Sequence, residues 1–325
     1  MLTLIVLAQA TIVNFVAADA TDAIQKAINS GASEIIIPYV GQDWIVRPLT
    51  LASNQTIRLE PGVAVVAKKG HFQGNNDCLI RGNRVTNVTI QGYGAVLRMR
   101  KADYQDRKKY APAEWRHGIS LRGCRDIKIL GVRVESTGGD GIYVGPQLKT
   151  WIPCKNILIQ DVVCDDNLRQ GLSITSVRNL LVDNCVFSNT SGGRPGAGLD
   201  IEPNVVWDHV CNIVVRNSQS VGNEGAGWFV NLSRLGKASS YVDIRFENCF
   251  VQRCGDAGSL RLKSIDSDSP RGIVEFIDCV FEDPRYAYWK QSPLLIRFEN
   301  CKWKIGRDVL HIQRWQGQSL MEPKE

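Results

Sequence analysis

The chain has 325 residues, 44% of them hydrophobic and 22% charged, with a formal net charge of +6. That composition excludes a disordered or collagen-like chain, and no stretch reaches the roughly 18–20 apolar residues that a membrane-spanning helix needs. The basic excess is modest and forms no dense run beyond Arg107-Lys108-Lys109 in a predicted loop, so nucleic acid is not indicated, while an acidic partner is compatible.

Residues 2–8 are mostly apolar and Ala8-Gln9-Ala10 resembles a small-x-small cleavage site, but no basic residue precedes the run. The segment reads as a weak signal peptide or as a first strand, which slightly favours a secreted or periplasmic setting over a cytoplasmic one. Residues 19–31 then read as a short amphipathic helix. Asp19 or Thr21 can cap it, Ala23, Ile24, Ala27 and Ile28 fall at helical spacing, and Gly31 ends it. Short apolar strands follow: EIIIP at 34–38, WIV at 44–46, TIRLE at 56–60, VAVVA at 63–67, CLIRG at 78–82 and NVTIQG at 87–92, with glycines at the turns. Residues 99–117, MRKADYQDRKKYAPAEWRH, break this pattern as a charged, aromatic inserted loop of the kind that carries binding or catalytic residues.

From residue 118 a phrase of the form Gly-apolar-X-apolar recurs: GISL at 118, GIYV at 141, GLSI at 171, GLDI at 198, GWFV at 227 and SLRL at 259. A second phrase runs out of step with it: DIKI at 126, NILI at 156, NLLV at 179, NIVV at 212 and DIRF at 243. Each cycle of about 30 residues therefore holds at least two strands and no helix, the signature of a parallel β-helix. The predicted fold is all-β, one single-stranded solenoid over residues 1–325, with an N-terminal capping helix to cover the open core. Residues 283–325 form a less regular C-terminal cap region rich in aromatics (Tyr286, Tyr288, Trp289, Trp303, Trp315). The ten cysteines fall mostly in Asn-Cys or Asp-Cys contexts near the second phrase, and no Cys-x-x-Cys occurs. They read as small core fillers ahead of disulfides or zinc ligands.

The phrase DATDAIQKAIN, an Ile-rich strand and then Gly-rich coils together resemble the right-handed parallel β-helix proteins of the pectate lyase superfamily, most of all its polygalacturonase-like glycoside hydrolases. Those hydrolases carry Asn-Thr-Asp, Asp-Asp, Gly-His-Gly and Arg-x-Lys on successive coils. In this chain Gly139-Asp140-Gly141-Ile142, Asp165-Asp166 and Arg261-Leu262-Lys263 stand where three of these would be. The Gly-His-Gly step is replaced by Gly196-Ala197-Gly198-Leu199-Asp200-Ile201-Glu202.

Alternation along each strand places the apolar residues of the first phrase in the core and the residues between them on an outward face. One outward column reads Ser120, Tyr143, Ser173, Asp200, Phe229, Arg261, and the next Arg122, Gly145, Thr175, Glu202, Asn231, Lys263; His117, Asp140 and Gln170 lie just ahead of the strands. Asp200 and Glu202 point the same way from one strand, their Cα atoms about 7 Å apart, so one is expected to hold its proton and act as a general acid. Side-chain flexibility covers both the retaining and the inverting carboxyl separations. The alternatives for this pair are a calcium site or a salt bridge to Arg169 or Arg194. Asp140, Asp165 or Asp166 is expected to assist from neighbouring coils, and His117 to serve as a base or hydrogen-bond donor. Arg169, Arg194, Arg261 and Lys263 are the candidate positioning cations. Glu114, Trp115, Tyr143 and Phe229 line the expected substrate path, and Trp228 faces the core.

The expected activity is a glycoside hydrolase acting on a polysaccharide or oligosaccharide, with an acidic glycan compatible, and with no cofactor. The alternatives are a lyase cleaving a uronate-containing chain by β-elimination, for which the resemblance implies Ca²⁺, and a non-catalytic carbohydrate-binding β-helix.

Overall fold

Each coil turns where the sequence places an Asn or Asp ahead of an aliphatic run. In the computed structural model Asp126, Asn156, Asn179 and Asn212 sit at φ between 53° and 62°. This is left-handed backbone, which Asn and Asp tolerate better than other non-glycine residues. Their side chains bond from coil to coil: Asn156 Nδ2 donates to Asp126 Oδ1 at 2.7 Å, Asn179 to Asn156 at 2.8 Å and Asn212 to Asn179 at 3.1 Å. A second corner repeats the device with Asp161, Asn184, Asn217, Asn248, Asp278 and Asn300, at φ between 49° and 57°.

The structure describes residues 10–255, 260–263, 270–282, 286–287 and 294–317. Three strands per coil pair in parallel with their equivalents above and below. The first column runs through Arg125–Leu130, Cys154–Gln160, Val177–Asp183, Val210–Arg216 and Val242–Glu247. The second runs through Arg133–Glu135, Val163–Asp165, Val186–Ser188, Gln219–Val221 and Phe250–Gln252, and the two are continuous as a 21-stranded sheet. The third is a separate nine-stranded sheet containing Ile119–Arg122, Asp140–Gly145, Gln170–Ile174, Ala197–Ile201 and Trp228–Asn231. The sequence repeats match the first and third columns; the second includes the predicted strands at 44–46 and 63–67, but from Arg133 onward its three-residue strands are a finding of the structure. The recurrent glycine also has a cause. A Cβ on Gly171 would run into the carbonyl of Gly198, and one on Gly198 into Ser220 Oγ, so only glycine fits where the chain enters the nine-stranded sheet.

Side chains from all three columns meet in one apolar core that runs from Val13 to Trp303. Trp228 is buried there between Phe187 and Phe246. All ten cysteines are free thiols, eight of them buried. Toward the C-terminal end Phe246, Phe276 and Phe298 stack coil on coil, with ring centroids 4.9 and 4.8 Å apart.

The ends differ from the sequence expectation in detail. A strand at Ala10–Ile12 precedes the helix and pairs with Glu34–Ile37. The helix spans Thr21–Ile28 and buries Ile24, Ala27 and Ile28. Its N-cap is Ala20, with no side-chain cap bond. Asp19 instead accepts from Thr21 N at 3.1 Å and pairs with Arg47 and Lys68. Residues 1–9, the signal-peptide candidate, lie outside the described residues, as do Tyr288 and Trp289 of the C-terminal region. An antiparallel hairpin of Leu294–Ile305 and Asp308–Gly317 follows, with Trp303 and Trp315 packed on Phe298. The 99–117 insertion is folded down rather than open. It contains a short helix, Lys101–Tyr104, and buries Arg116 between Tyr104 and Tyr110 with a bond from Nε to Phe72 O at 2.8 Å.

Phe276 is the middle ring of the aromatic stack, and its removal leaves a cavity that both flanking coils would have to close. Phe276→Ala should cost about 3–5 kcal/mol in chemical denaturation, whereas Phe276→Leu should cost less than half of that. Equal stability of Phe276→Ala and the parent would contradict the stacked core.

Candidate functional site

Register brings Ser120, Tyr143, Ser173, Asp200, Phe229 and Arg261 into one column across six coils of the nine-stranded sheet, and Asp140, Gln170 and Ala197 into another. Alternation puts the first column outside the core, and the structure corrects what that means. Ser120 and Asp200 are 0% exposed, Tyr143 6% and Phe229 5%. Edge residues cover them. The Glu114 carbonyl lies over Gly139, Arg169 reaches back across the face, and Phe229 packs with Ala197 and Ala226. The result is a buried polar layer between core and solvent.

Arg169 is the hub of this layer. Its guanidinium lies 3.7 Å from Asp140 Oδ2, 3.9 Å from Glu202 Oε2 and 3.5 Å from Glu114 Oε2. Asp200 accepts from the Gln170 side-chain amide and is pushed well above the usual carboxyl range, first by burial and then by the neighbouring Glu202 charge. Arg169 opposes both. Asp140 is pushed up to about 7, again chiefly by burial, against the pull of Arg169. Glu202, partly exposed, accepts from Asn231 Nδ2 at 2.6 Å.

His117 closes the insertion and stacks on Tyr143, with ring centroids 5.0 Å apart and planes 12° apart. Its Nδ1 accepts from the Asp140 backbone N–H at 3.1 Å and lies 3.3 Å from Asp140 Oδ2. Burial, with Arg122, Arg169 and Arg81 nearby, holds its pKa well below the ordinary value. The ring is therefore neutral at pH 7, and the bond accepted at Nδ1 leaves the proton on Nε2. On the other side of the stack Arg122 lies over Tyr143 at 4.4 Å, and the Tyr143 hydroxyl bonds Thr175 Oγ1 at 2.9 Å. Several buried polar atoms in this layer have no hydrogen-bond partner in the protein: His117 Nε2, Ser120 Oγ, both Asp140 oxygens, Gln170 Oε1 and Asp200 Oδ1. Unpaired groups are costly to bury, and a cluster of them is the mark of a place prepared for a ligand or solvent.

The remaining candidates are dispersed. Asp165 ends a strand of the large sheet and bonds Arg133, Ser188 and Asn189, while Asp166 takes Lys101 Nζ at 2.8 Å and Ser136 Oγ at 2.8 Å. These bonds run to the far corner of the coil, not to Asp200. Arg194 is exposed in its glycine-rich loop, and Glu114 and Trp115 are exposed at the rim. Arg261 and Lys263 continue the register beside Phe229 and Asn231, in a strand whose side chains are outside the described set. Gln170, Ser120, Arg122 and Asn231 join the site without having been singled out as binding residues. The signal for them was column membership, since each shares a register position or an adjacent one with a chosen residue. Among the described residues no three His, Cys, Asp or Glu side chains converge as a metal site. Asp165 and Asp166 are instead paired with Arg133 and Lys101.

A family model described as a right handed beta helix region matches residues 70–202. The uncharacterized protein YclG of Bacillus subtilis strain 168 is 31% identical over 154 residues, 42% of this chain and 25% of YclG. A second B. subtilis relative, the prophage-derived YorA, is 25% identical over 47% of this chain, so the chain spans only 25–28% of the length of these curated relatives. Among solved structures, the Family 28 exopolygalacturonase of Yersinia enterocolitica aligns with a TM-score of 0.62 at 14% identity, over 91% of this chain and 65% of its own. An iota-carrageenase from A. fortis aligns with a TM-score of 0.58 at 18% identity, over 75% of this chain and 54% of its own. At these identities the likeness is one of fold.

The raised pKa of Asp140 makes stability depend on pH. Folding favours its neutral form, so its contribution is complete below about pH 4 and is lost as pH rises through about 7. His117 acts in the opposite sense, since its lowered pKa gives stability that is lost as pH falls. Asp140→Asn should therefore melt close to the parent at pH 4.5 and several degrees above it at pH 8. A difference in melting temperature that is flat from pH 4.5 to 8 would contradict the buried carboxyl.

Proposed function

We propose that this right-handed parallel β-helix protein is a glycoside hydrolase that cleaves a polysaccharide or oligosaccharide over its nine-stranded sheet by carboxyl acid–base catalysis. The observation that carries the reading is the contrast between two carboxyl groups two residues apart on one edge. Asp200 is fully buried, which pushes its carboxyl well above the usual range, while Glu202 is partly open and bonded by Asn231. Hydrolysis of a glycosidic bond needs this pairing of an acid that keeps its proton at neutral pH with a carboxylate beside it.

In this reading substrate displaces the edge residues that cover Asp200, which then gives its proton to the departing glycosidic oxygen as the C–O bond breaks. Glu202 takes the proton of the incoming water or attacks the anomeric carbon first; both courses end with water added across the bond. Asp140, ionising near neutral pH, and Arg169 set the charge around the pair. His117 offers its Nε2–H, which has no protein partner, to a sugar hydroxyl. The solved proteins of similar fold reported above are named for cutting galacturonan or carrageenan chains. That supports a carbohydrate substrate.

Asp200→Asn and Glu202→Gln should each lose at least about 100-fold in kcat/KM in a reducing-end assay on oligosaccharides while melting at or above the parent temperature. The parent's activity should fall as Asp140, pushed up to about 7, loses its proton. Near-parental turnover by both variants would overturn the acid–base pair. Products that absorb in the ultraviolet as unsaturated sugars would assign β-elimination instead.

A further inference from the structure

Beyond the carboxyl layer, the edge where the nine-stranded sheet ends carries an aromatic row. The Gly145-to-Cys154 connection presents Trp151, and the Glu202-to-Val210 connection presents Trp207. They belong to coils that are not adjacent, yet their ring centroids are 6.3 Å apart at 45°. The coil between them turns tightly at Thr175-Ser176, so nothing separates the two indoles. Trp207 is 54% exposed, and Tyr241, on the next coil, is 61% exposed.

Both loops are held rigidly from within. Gln147 Oε1 accepts from Lys149 N at 3.0 Å and Thr150 N at 2.8 Å, and Gln147 N donates to Ile152 O at 2.9 Å. Buried Asp208 accepts from Asn204 N at 2.9 Å and Val205 N at 3.1 Å. Ser239 Oγ reaches Val206 O at 2.6 Å, which ties the Tyr241 loop to the Trp207 loop. Fixed, exposed aromatic rings lose little conformational entropy on binding, and an indole offers a flat apolar face beside a polar edge. The row is also continuous with the carboxyl layer. Glu202 leads directly into the Trp207 loop.

We propose that Trp151 and Trp207 form a carbohydrate subsite, with the apolar face of a sugar ring stacked on each indole and the glycan running along the solenoid axis past Tyr241. His209, two residues beyond Trp207, is held by Arg178, whose Nη2 lies 3.1 Å from its Nε2. This deepens the hydrolase reading by naming where the chain is gripped outside the reacting residues, and it rests on that reading for the direction of the chain only.

The test is native affinity electrophoresis of the full chain through gels holding polygalacturonate, alginate, iota-carrageenan or dextran. At least one polymer should retard the parent and Asp200→Asn alike. Trp207→Ala and Trp151→Ala should weaken that retardation at least about tenfold, and Trp207→Phe should keep most of it. Loss of turnover in Asp200→Asn with retardation intact separates the two sites; loss of retardation in Trp207→Ala with no turnover in any protein still upholds the subsite. Absence of retardation by all four polymers would overturn it. So would sedimentation showing that the parent self-associates and Trp207→Ala does not, because the aromatic row would then be a contact between copies of this chain.

Discussion

Every feature of this molecule depends on parallel strands that hydrogen-bond in register from coil to coil. A residue fixed at one place on a coil meets its equivalent on the next at the inter-strand distance of about 4.8 Å, whatever the length of chain between them. That constraint builds the asparagine corners, the phenylalanine stack and the polar layer by the same means. It also explains why an insertion such as 99–117 is tolerated. A loop between strands alters one edge while the ladder beneath it continues.

The same constraint makes the polar layer expensive. Asp140 and Asp200 are held where water is excluded, and the cationic hub Arg169 offsets only part of the cost. For Asp140 the shift from 3.8 to about 7 corresponds to roughly 4 kcal/mol of stability lost between acid and alkaline pH. A passive solenoid wall of Thr, Ser and Asn would avoid that cost. Buried polar atoms without hydrogen-bond partners, gathered at one place in an otherwise regular repeat, support the catalytic role proposed for this face.

Much of the architecture was legible in the sequence because both its signals are local. Gly-apolar-X-apolar marks entry into the nine-stranded sheet, where Gly171 and Gly198 leave no room for a Cβ, and Asn or Asp ahead of an aliphatic run marks the left-handed corner. The second column was legible only at its N-terminal end, where WIV at 44–46 and VAVVA at 63–67 belong to it. Segments such as Val186–Ser188 and Gln219–Val221 are too short to show a period. The candidate site was legible as columns but not as an environment. Alternation put Asp200 outside the core, and only the three-dimensional packing of Arg169, Gln170 and the Glu114 edge shows that outside does not mean solvated. Asp165 and Asp166 look like a functional pair in sequence, yet Arg133 and Lys101 draw them to another corner. Trp151 and Trp207 carry no sequence signal at all, since their proximity depends on the tight turn between them.

Burial in this layer should keep a carboxyl protonated at neutral pH, and infrared difference spectroscopy reads that proton directly. At pH 6.5 the parent should show the C=O stretch of a protonated carboxylic acid, diminished in Asp200→Asn and diminished further when Asp140→Asn is added. A spectrum in which every carboxyl of the parent is ionised at that pH would contradict it.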